Sequence, residues 1–100
     1  MSRLEDSIWT RKQMEAFVGK HMRFVRTTEE FFGEPADGSE GGLWVSGEDG
    51  DTYKGLPIYD YYFESPNYDF GVLREWEQQL ERRGWYSEWY DAGTVCIWKM

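Results

Sequence analysis

The chain is poor in residue types that often carry function. Among its 100 residues it has one cysteine, Cys96, and one histidine, His21. A single cysteine excludes an intramolecular disulfide and fits a reducing compartment. No stretch approaches the roughly 20 apolar residues that a membrane-spanning helix needs, and the N-terminus lacks the apolar segment of a secretory signal. These absences favour a cytoplasmic protein with no membrane partner.

Patterns that build catalytic and metal sites are missing as well. Nothing in the sequence supplies the oriented partner that His21 would need as a general base. Cys96 lies in a β-rich run, where a small core residue is expected rather than a nucleophile. The acidic turn at 47–51 lacks the ligand spacing of a calcium loop. No glycine run opens a helix as a phosphate cradle does. We therefore expect no enzyme activity, no metal and no cofactor.

Aromatic residues, in contrast, are abundant. The chain has six tryptophans, seven tyrosines and six phenylalanines. Each can bury about 150–250 Å², so a core of few, large side chains is adequate without disulfides. Because buried Tyr and Trp need hydrogen-bond partners, some of them are expected at the core edge or in an interface.

The net charge of −8 is concentrated in the middle of the chain. Residues 27–69 hold eleven acidic residues and one base, Lys54, whereas residues 1–26 carry a positive balance. This acidity argues against direct binding to nucleic acid, because contacts with phosphates need Lys and Arg. It suits a partner protein with a basic surface, toward which association is electrostatically steered.

Two segments carry helix signals. Thr10 and Gln13 have the spacing of a capping box, which predicts a helix from there to about Val18. Residues 70–83 show apolar residues at helical spacing, and the following Gly84 is a natural end for that helix.

The β-rich segments are short and separated by turn residues. Residues 21–27 alternate as a strand does. Residues 43–46 and 52–64 are predicted to pair as a hairpin, and the final β-rich runs flank the turn Asp91-Ala92-Gly93 as a second hairpin. The run "TTEEFF" at 27–32 fits either more strand or one helical turn.

The order of elements predicts a single α+β domain. We expect an antiparallel sheet of four or five strands with two helices packed on one face. Residues 33–42 hold four glycines and several acids, which predicts a mobile acidic loop.

The stretch "YDYYFESPNYDF" at 59–70 combines aromatic and acidic residues. Strand periodicity sorts its first part into two faces. The face expected to join the core holds Tyr59, Tyr61 and Phe63. The face expected to be exposed holds Asp60, Tyr62 and Glu64.

Acidic and aromatic residues together are typical of a protein-binding surface, since aromatic rings are enriched at interface cores and charges steer association. We therefore predict a non-enzymatic interaction or inhibitor protein that covers a basic surface on a partner protein, such as a surface that binds nucleic acid. The predicted contact residues are Glu29, Glu30, Trp44, Glu48, Asp49, Asp51, Asp60, Tyr62 and Glu64.

In size, acidity and α+β character the chain is similar to small virus-encoded inhibitors of bacterial defence systems, several of which imitate nucleic acid. The similarity is one of general composition, and it implies an inhibitor acting in a host cytoplasm. Three alternatives stay open at this point. The acidic face is simply solvated above an aromatic core, the protein is a small-ligand module with an aromatic pocket between sheet and helices, or it is a homo-oligomeric structural protein, such as a homodimer, whose exposed aromatics pair across a two-fold axis.

Overall fold

The computed structural model describes residues 8–33, 41–62 and 65–100. It confirms the predicted α+β class, with helices and antiparallel strands that do not alternate regularly along the chain. In chain order the elements are α1 (Arg11–Gly19), β1 (Val25–Thr27), α2 (Thr28–Phe32), β2 (Leu43–Ser46), β3 (Thr52–Tyr53), β4 (Leu56–Pro57), β5 (Tyr68–Asp69), β6 (Val72–Leu73), α3 (Arg74–Glu81), β7 (Trp85–Asp91) and β8 (Thr94–Lys99).

A four-stranded antiparallel sheet of order β1-β2-β8-β7 organises the fold. Its central strands place Val45 opposite Val95 and Leu43 opposite Ile97, so one face carries a continuous apolar row. The predicted hairpin of β7 and β8 is present. The predicted pairing of 43–46 with 52–64 is wrong, because β2 pairs with β1 and β8 instead. Pairing with β8 matches apolar alternation on both strands, which the interrupted segment 52–64 does not offer.

The segment after β2 forms two small hairpins rather than one long strand. Lys54 and Gly55 connect β3 to β4 with φ of 54° and 86°, and Phe70 and Gly71 connect β5 to β6 with φ of 51° and 77°. Positive φ at both central residues is the signature of the type I′ turn, which suits two-residue hairpins. The sequence predicts that α3 begins near residue 70. It begins at Arg74 instead, because the β5–β6 hairpin occupies the preceding residues.

Capping boxes fix the starts of α1 and α2. The predicted box is present in α1, where the Thr10 hydroxyl accepts from the Gln13 amide and the Gln13 side chain accepts from the Thr10 amide. An equivalent box joins Thr27 and Glu30. The ambiguous run at 27–32 is therefore one helical turn, because this box satisfies amides that a strand would have to pair elsewhere.

Helices α1 and α3 pack on the apolar face of the sheet, as predicted, while α2 lies on the opposite face. Phe31 of α2 stacks on Trp44 with ring centroids 4.5 Å apart, and Trp44 alternates with core residues along β2. The core residues from α1, α3 and the two central strands are Met14, Val18, Trp76, Leu80, Leu43, Val45, Val95 and Ile97.

No helix in the described part of the chain has both the length and the apolar character needed to cross a membrane. Most of the acidic loop predicted at 33–42 falls outside the described residues.

Candidate partner-binding surface

The interior aromatic residues form one hydrogen-bonded group around Trp76. Trp76 is fully buried and stacks on Phe17 at 5.4 Å. Its Nε1 donates to the Tyr59 hydroxyl at 2.9 Å, and that hydroxyl also shares a hydrogen bond of 2.8 Å with Ser87 Oγ. Burial raises the pKa of the Tyr59 hydroxyl well above its ordinary value. Tyr59 is therefore a core residue, as strand periodicity predicted.

His21 and Cys96, the two residues with the greatest catalytic potential by type, are placed in packed surroundings. The His21 ring lies edge-on to Phe17, Tyr53 and Trp76 at 5.2–5.6 Å. Cys96 is buried in β8, and burial, together with nearby acidic side chains, raises the pKa of its thiol to about 11. Such a thiol is a poor nucleophile at neutral pH. Within 8–33, 41–62 and 65–100, no three His, Cys, Asp or Glu side chains group as metal ligands would.

A second set of aromatic residues points away from the core. Tyr61, Tyr62 and Phe70 are 46%, 82% and 94% exposed. The prediction that Tyr61 belongs to the core is wrong, because the chain turns at 61–62 and the two-residue period of a strand no longer applies. Phe63, expected beside it, lies outside the described residues.

Three of the rings in this region meet at right angles at the end of β7. The Tyr61 ring lies 5.2 Å from Tyr62 with 86° between their planes, and 4.9 Å from Trp89 with 84° between their planes. Trp89 Nε1 donates to the Phe70 carbonyl at 2.7 Å. We call Tyr61, Tyr62, Phe70 and Trp89 the aromatic corner.

Phe70 occupies a strained backbone position in the type I′ turn. Its φ of 51° lies in the left-handed region, which bulky side chains rarely adopt. The next residue has to be glycine, because a Cβ on Gly71 would lie 2.6 Å from the Asp60 carbonyl oxygen. Asp60 also donates its amide to the Gly71 carbonyl at 2.8 Å. The turn is therefore held from both sides, and the Phe70 ring projects into solvent.

Two open grooves flank the tyrosines. Tyr61 and Tyr62 line both of them. One groove, of about 630 Å³, is otherwise mainly aromatic and includes Phe70. The other, of about 320 Å³, is lined by residues that include Glu48 and Asp60. Among the described residues that line the two grooves, none is a lysine or arginine.

The structure thus brings together three of the predicted contact residues, Glu48, Asp60 and Tyr62. Trp44 lies elsewhere, stacked on Phe31 on the outer face of the sheet. Glu64 lies outside the described residues.

The carboxylates of three other predicted acids, Glu29, Glu30 and Asp51, are engaged in intramolecular contacts. Glu29 pairs with Arg11 at 2.6 Å, and Asp51, whose side chain is nearly buried, pairs with Arg23 at 3.0 Å. Arg23 also donates to the Asp49 backbone carbonyl. Hydrogen bonds to Thr27 lower the pKa of Glu30, which caps α2. Burial opposes ionisation of Glu29, but its hydrogen bonds, including those from Arg11 and Gly41, outweigh that effect and lower its pKa.

Sequence reasoning missed the exposed Phe70 and Tyr61, and the half-buried Trp89 beside them, as one surface cluster. The helical spacing of Val72, Leu73 and Trp76 predicts that a helix begins at Phe70. The available signal was the dipeptide Phe70-Gly71 between two short β-type runs, which resembles the X-Gly pattern of two-residue hairpins.

Comparison of the chain with protein-family models, with curated protein sequences and with solved structures finds no match. Function is therefore inferred from the surface itself.

Proposed function

We propose that this protein is a non-enzymatic binding module that covers a basic surface on a partner protein. The contact surface consists of the aromatic corner, with Glu48 and Asp60 beside it. The observation that carries the proposal is Phe70, which is almost fully exposed on a left-handed backbone.

Phe70 is unfavourable to the isolated protein in two ways. A left-handed conformation costs an L-residue roughly 1–2 kcal/mol, and the exposed ring buries no apolar surface in return. Asparagine or aspartate is the preferred residue at this position of a type I′ turn. Strained positions of this kind cluster at ligand-binding sites, so the phenylalanine is best explained by a contact that forms in a complex.

The chemistry of the surface favours a basic protein partner. Aromatic side chains supply much of the energy at the centres of protein interfaces, and nearby carboxylates steer a cationic partner and add specificity. The absence of lysine and arginine among the described lining residues disfavours nucleic acid, which needs positive charge to replace its counterions. The mechanism is occlusion, because a partner surface covered in this way is closed to its other ligands.

Affinity capture from native host cells, with quantitative mass spectrometry, tests the proposal. The bait is compared with a Phe70→Asn variant and with a Lys54→Asn variant as matched control. Both substitutions place asparagine at the first central position of a type I′ turn, but only the first removes a ring of the aromatic corner. We expect a basic protein that is captured by the wild type and by Lys54→Asn and is lost with Phe70→Asn.

Salt and charge reversal provide a second readout on the same captured protein. Exposed charges are screened over roughly 10 Å at 0.1 M salt, so capture should weaken as salt is raised. The double variant Glu48→Lys, Asp60→Lys should weaken it further at low salt. Equal capture by the wild type and Phe70→Asn, with no response to salt, would overturn the proposal.

A further inference from the structure

The aromatic corner has the form of an incomplete cage. The planes of Tyr62 and Trp89 both stand nearly perpendicular to Tyr61, at 86° and 84°. Phe70 lines the same groove as these three rings. Aromatic walls set around a concave space attract a cation to their faces, where the electrostatic potential of the ring is negative.

The polar groups in and beside the corner favour a cationic ligand over an anionic one. The Trp89 indole N–H is taken by the Phe70 carbonyl, so the tryptophan offers its ring rather than a donor. The neighbouring groove supplies Glu48 and Asp60, which are acceptors only when ionised. Acceptors beside aromatic faces match a cationic donor group and not an anion.

Building on the proposed function, we propose that the aromatic corner takes the cationic end of one arginine side chain from the partner. A guanidinium is planar and weakly hydrated, so it stacks on aromatic faces more readily than an ammonium does. Its N–H groups can at the same time donate to a carboxylate in a two-bond arrangement. Glu48 and Asp60 lie in the groove that shares Tyr61 and Tyr62 with the corner.

An NMR titration of the full chain with two short blocked peptides tests this inference. The peptides are identical except that one has a central arginine and the other citrulline, its neutral isostere. The readouts are the Trp89 indole N–H and the Gly71 amide, both in the corner. Because a cation–π contact at an exposed site is worth about 0.5–1 kcal/mol, we expect the arginine peptide to bind about two- to fivefold more tightly, a difference that a carboxylate contact would increase.

A Tyr61→Leu variant removes the central ring and keeps the apolar character of the groove. The preference for arginine over citrulline should disappear in this variant. Glu15→Gln, an acidic residue of α1 that lines neither groove, serves as the charge control and should keep the preference.

Equal shifts by both peptides, or no shift in the corner at millimolar arginine peptide, would overturn the inference. That result is distinguishable from failure of the proposed function. If a basic partner is captured by the wild type and lost with Phe70→Asn, but the arginine peptide is not preferred, the proposed function is supported and the arginine site is overturned. If the arginine peptide is preferred but no basic partner is captured, the arginine site is supported and the proposed function is overturned.

Discussion

The aromatic residues around Trp76 and those of the aromatic corner are alike in type but differ in environment, with the half-buried Trp89 joining the two groups through its ring contact with Tyr59 at 5.9 Å. In the first group the polar atoms are paired internally, as in the hydrogen bonds that link Trp76, Tyr59 and Ser87. In the second, Tyr62 and Phe70 present their rings to solvent. The Trp89 indole N–H donates to the Phe70 carbonyl and so holds the turn that displays Phe70. The first group stabilises the fold, whereas Phe70 in the second group imposes a cost on it.

This difference identifies which rings of an aromatic-rich chain are candidates for binding. Composition alone cannot separate the two groups, because a tyrosine is equally able to fill a core and to form an interface. Hydrogen bonding and backbone conformation do separate them. Aromatic side chains whose polar atoms are hydrogen-bonded inside the protein contribute to stability. A ring held outward on an unfavourable backbone is the candidate for binding.

The largest effect should follow from removing the centre of the interior group. Trp76→Ala leaves a cavity between α3, α1 and the sheet, and it should lower the free energy of unfolding by about 3–5 kcal/mol. Urea denaturation followed by circular dichroism measures this. A loss below about 1 kcal/mol would mean that Trp76 is not central to the core.

A smaller loss is expected from Tyr59→Phe, which keeps the ring and removes the hydroxyl. The Trp76 indole N–H and the Ser87 hydroxyl would lose their shared partner in a buried site. Leaving a buried donor unpaired costs about 1–3 kcal/mol, which the same denaturation experiment resolves. An unchanged stability would show that the interior hydrogen bonds do not support the fold.

Glu77 is an exception among the interior polar groups, and it sharpens the comparison through pH. One of its oxygens accepts from the Ser87 amide at 2.9 Å, and the other is buried without a partner in the described part of the chain. Burial raises the pKa of Glu77 above its ordinary value of 4.5. The folded state therefore holds this proton more tightly than the unfolded state, and stability falls as pH rises from about 4.5 through the folded pKa.

Glu77→Gln removes this titration and keeps an acceptor for the Ser87 amide. The variant should gain stability relative to the wild type between pH 4 and pH 7, while the other carboxylates contribute equally to both proteins. Urea denaturation at the two pH values gives the comparison. A difference between the proteins that does not change with pH would contradict the raised pKa.

The smallest effect on stability is expected at Tyr62 of the aromatic corner. Tyr62 is 82% exposed, so Tyr62→Ala should change the free energy of unfolding by no more than about 0.5 kcal/mol, while it weakens capture of the partner. A large loss of stability would place Tyr62 with the structural aromatics.

The elements best predicted from sequence are those with local signals. The capping-box spacing of Thr10 and Gln13 predicts α1, and the turn residues Asp91-Ala92-Gly93 predict the β7–β8 hairpin. Thr27 and Glu30 have the same capping-box spacing, but the β-type residues before them also fit a longer strand.

The two small hairpins were missed for a physical reason. Their turns use Lys54-Gly55 and Phe70-Gly71, where asparagine or aspartate is the usual first residue. The sequence pattern of residues 52–83 therefore predicts one strand followed by a long helix. The same unusual choice that concealed the turn at Phe70 is what marks the candidate site, because local preference is most often violated where function requires it.

Phe70→Asn tests the central claim most directly, since it needs no knowledge of the partner. Asparagine tolerates the left-handed backbone, so the variant should unfold with a free energy about 1 kcal/mol higher than the wild type. Lys54→Asn makes the equivalent change in the other turn and also removes an exposed ion pair with Glu75, so its gain should be smaller. If Phe70→Asn instead lowers the stability, the ring supports the fold, and the claim that it is displayed for binding is wrong.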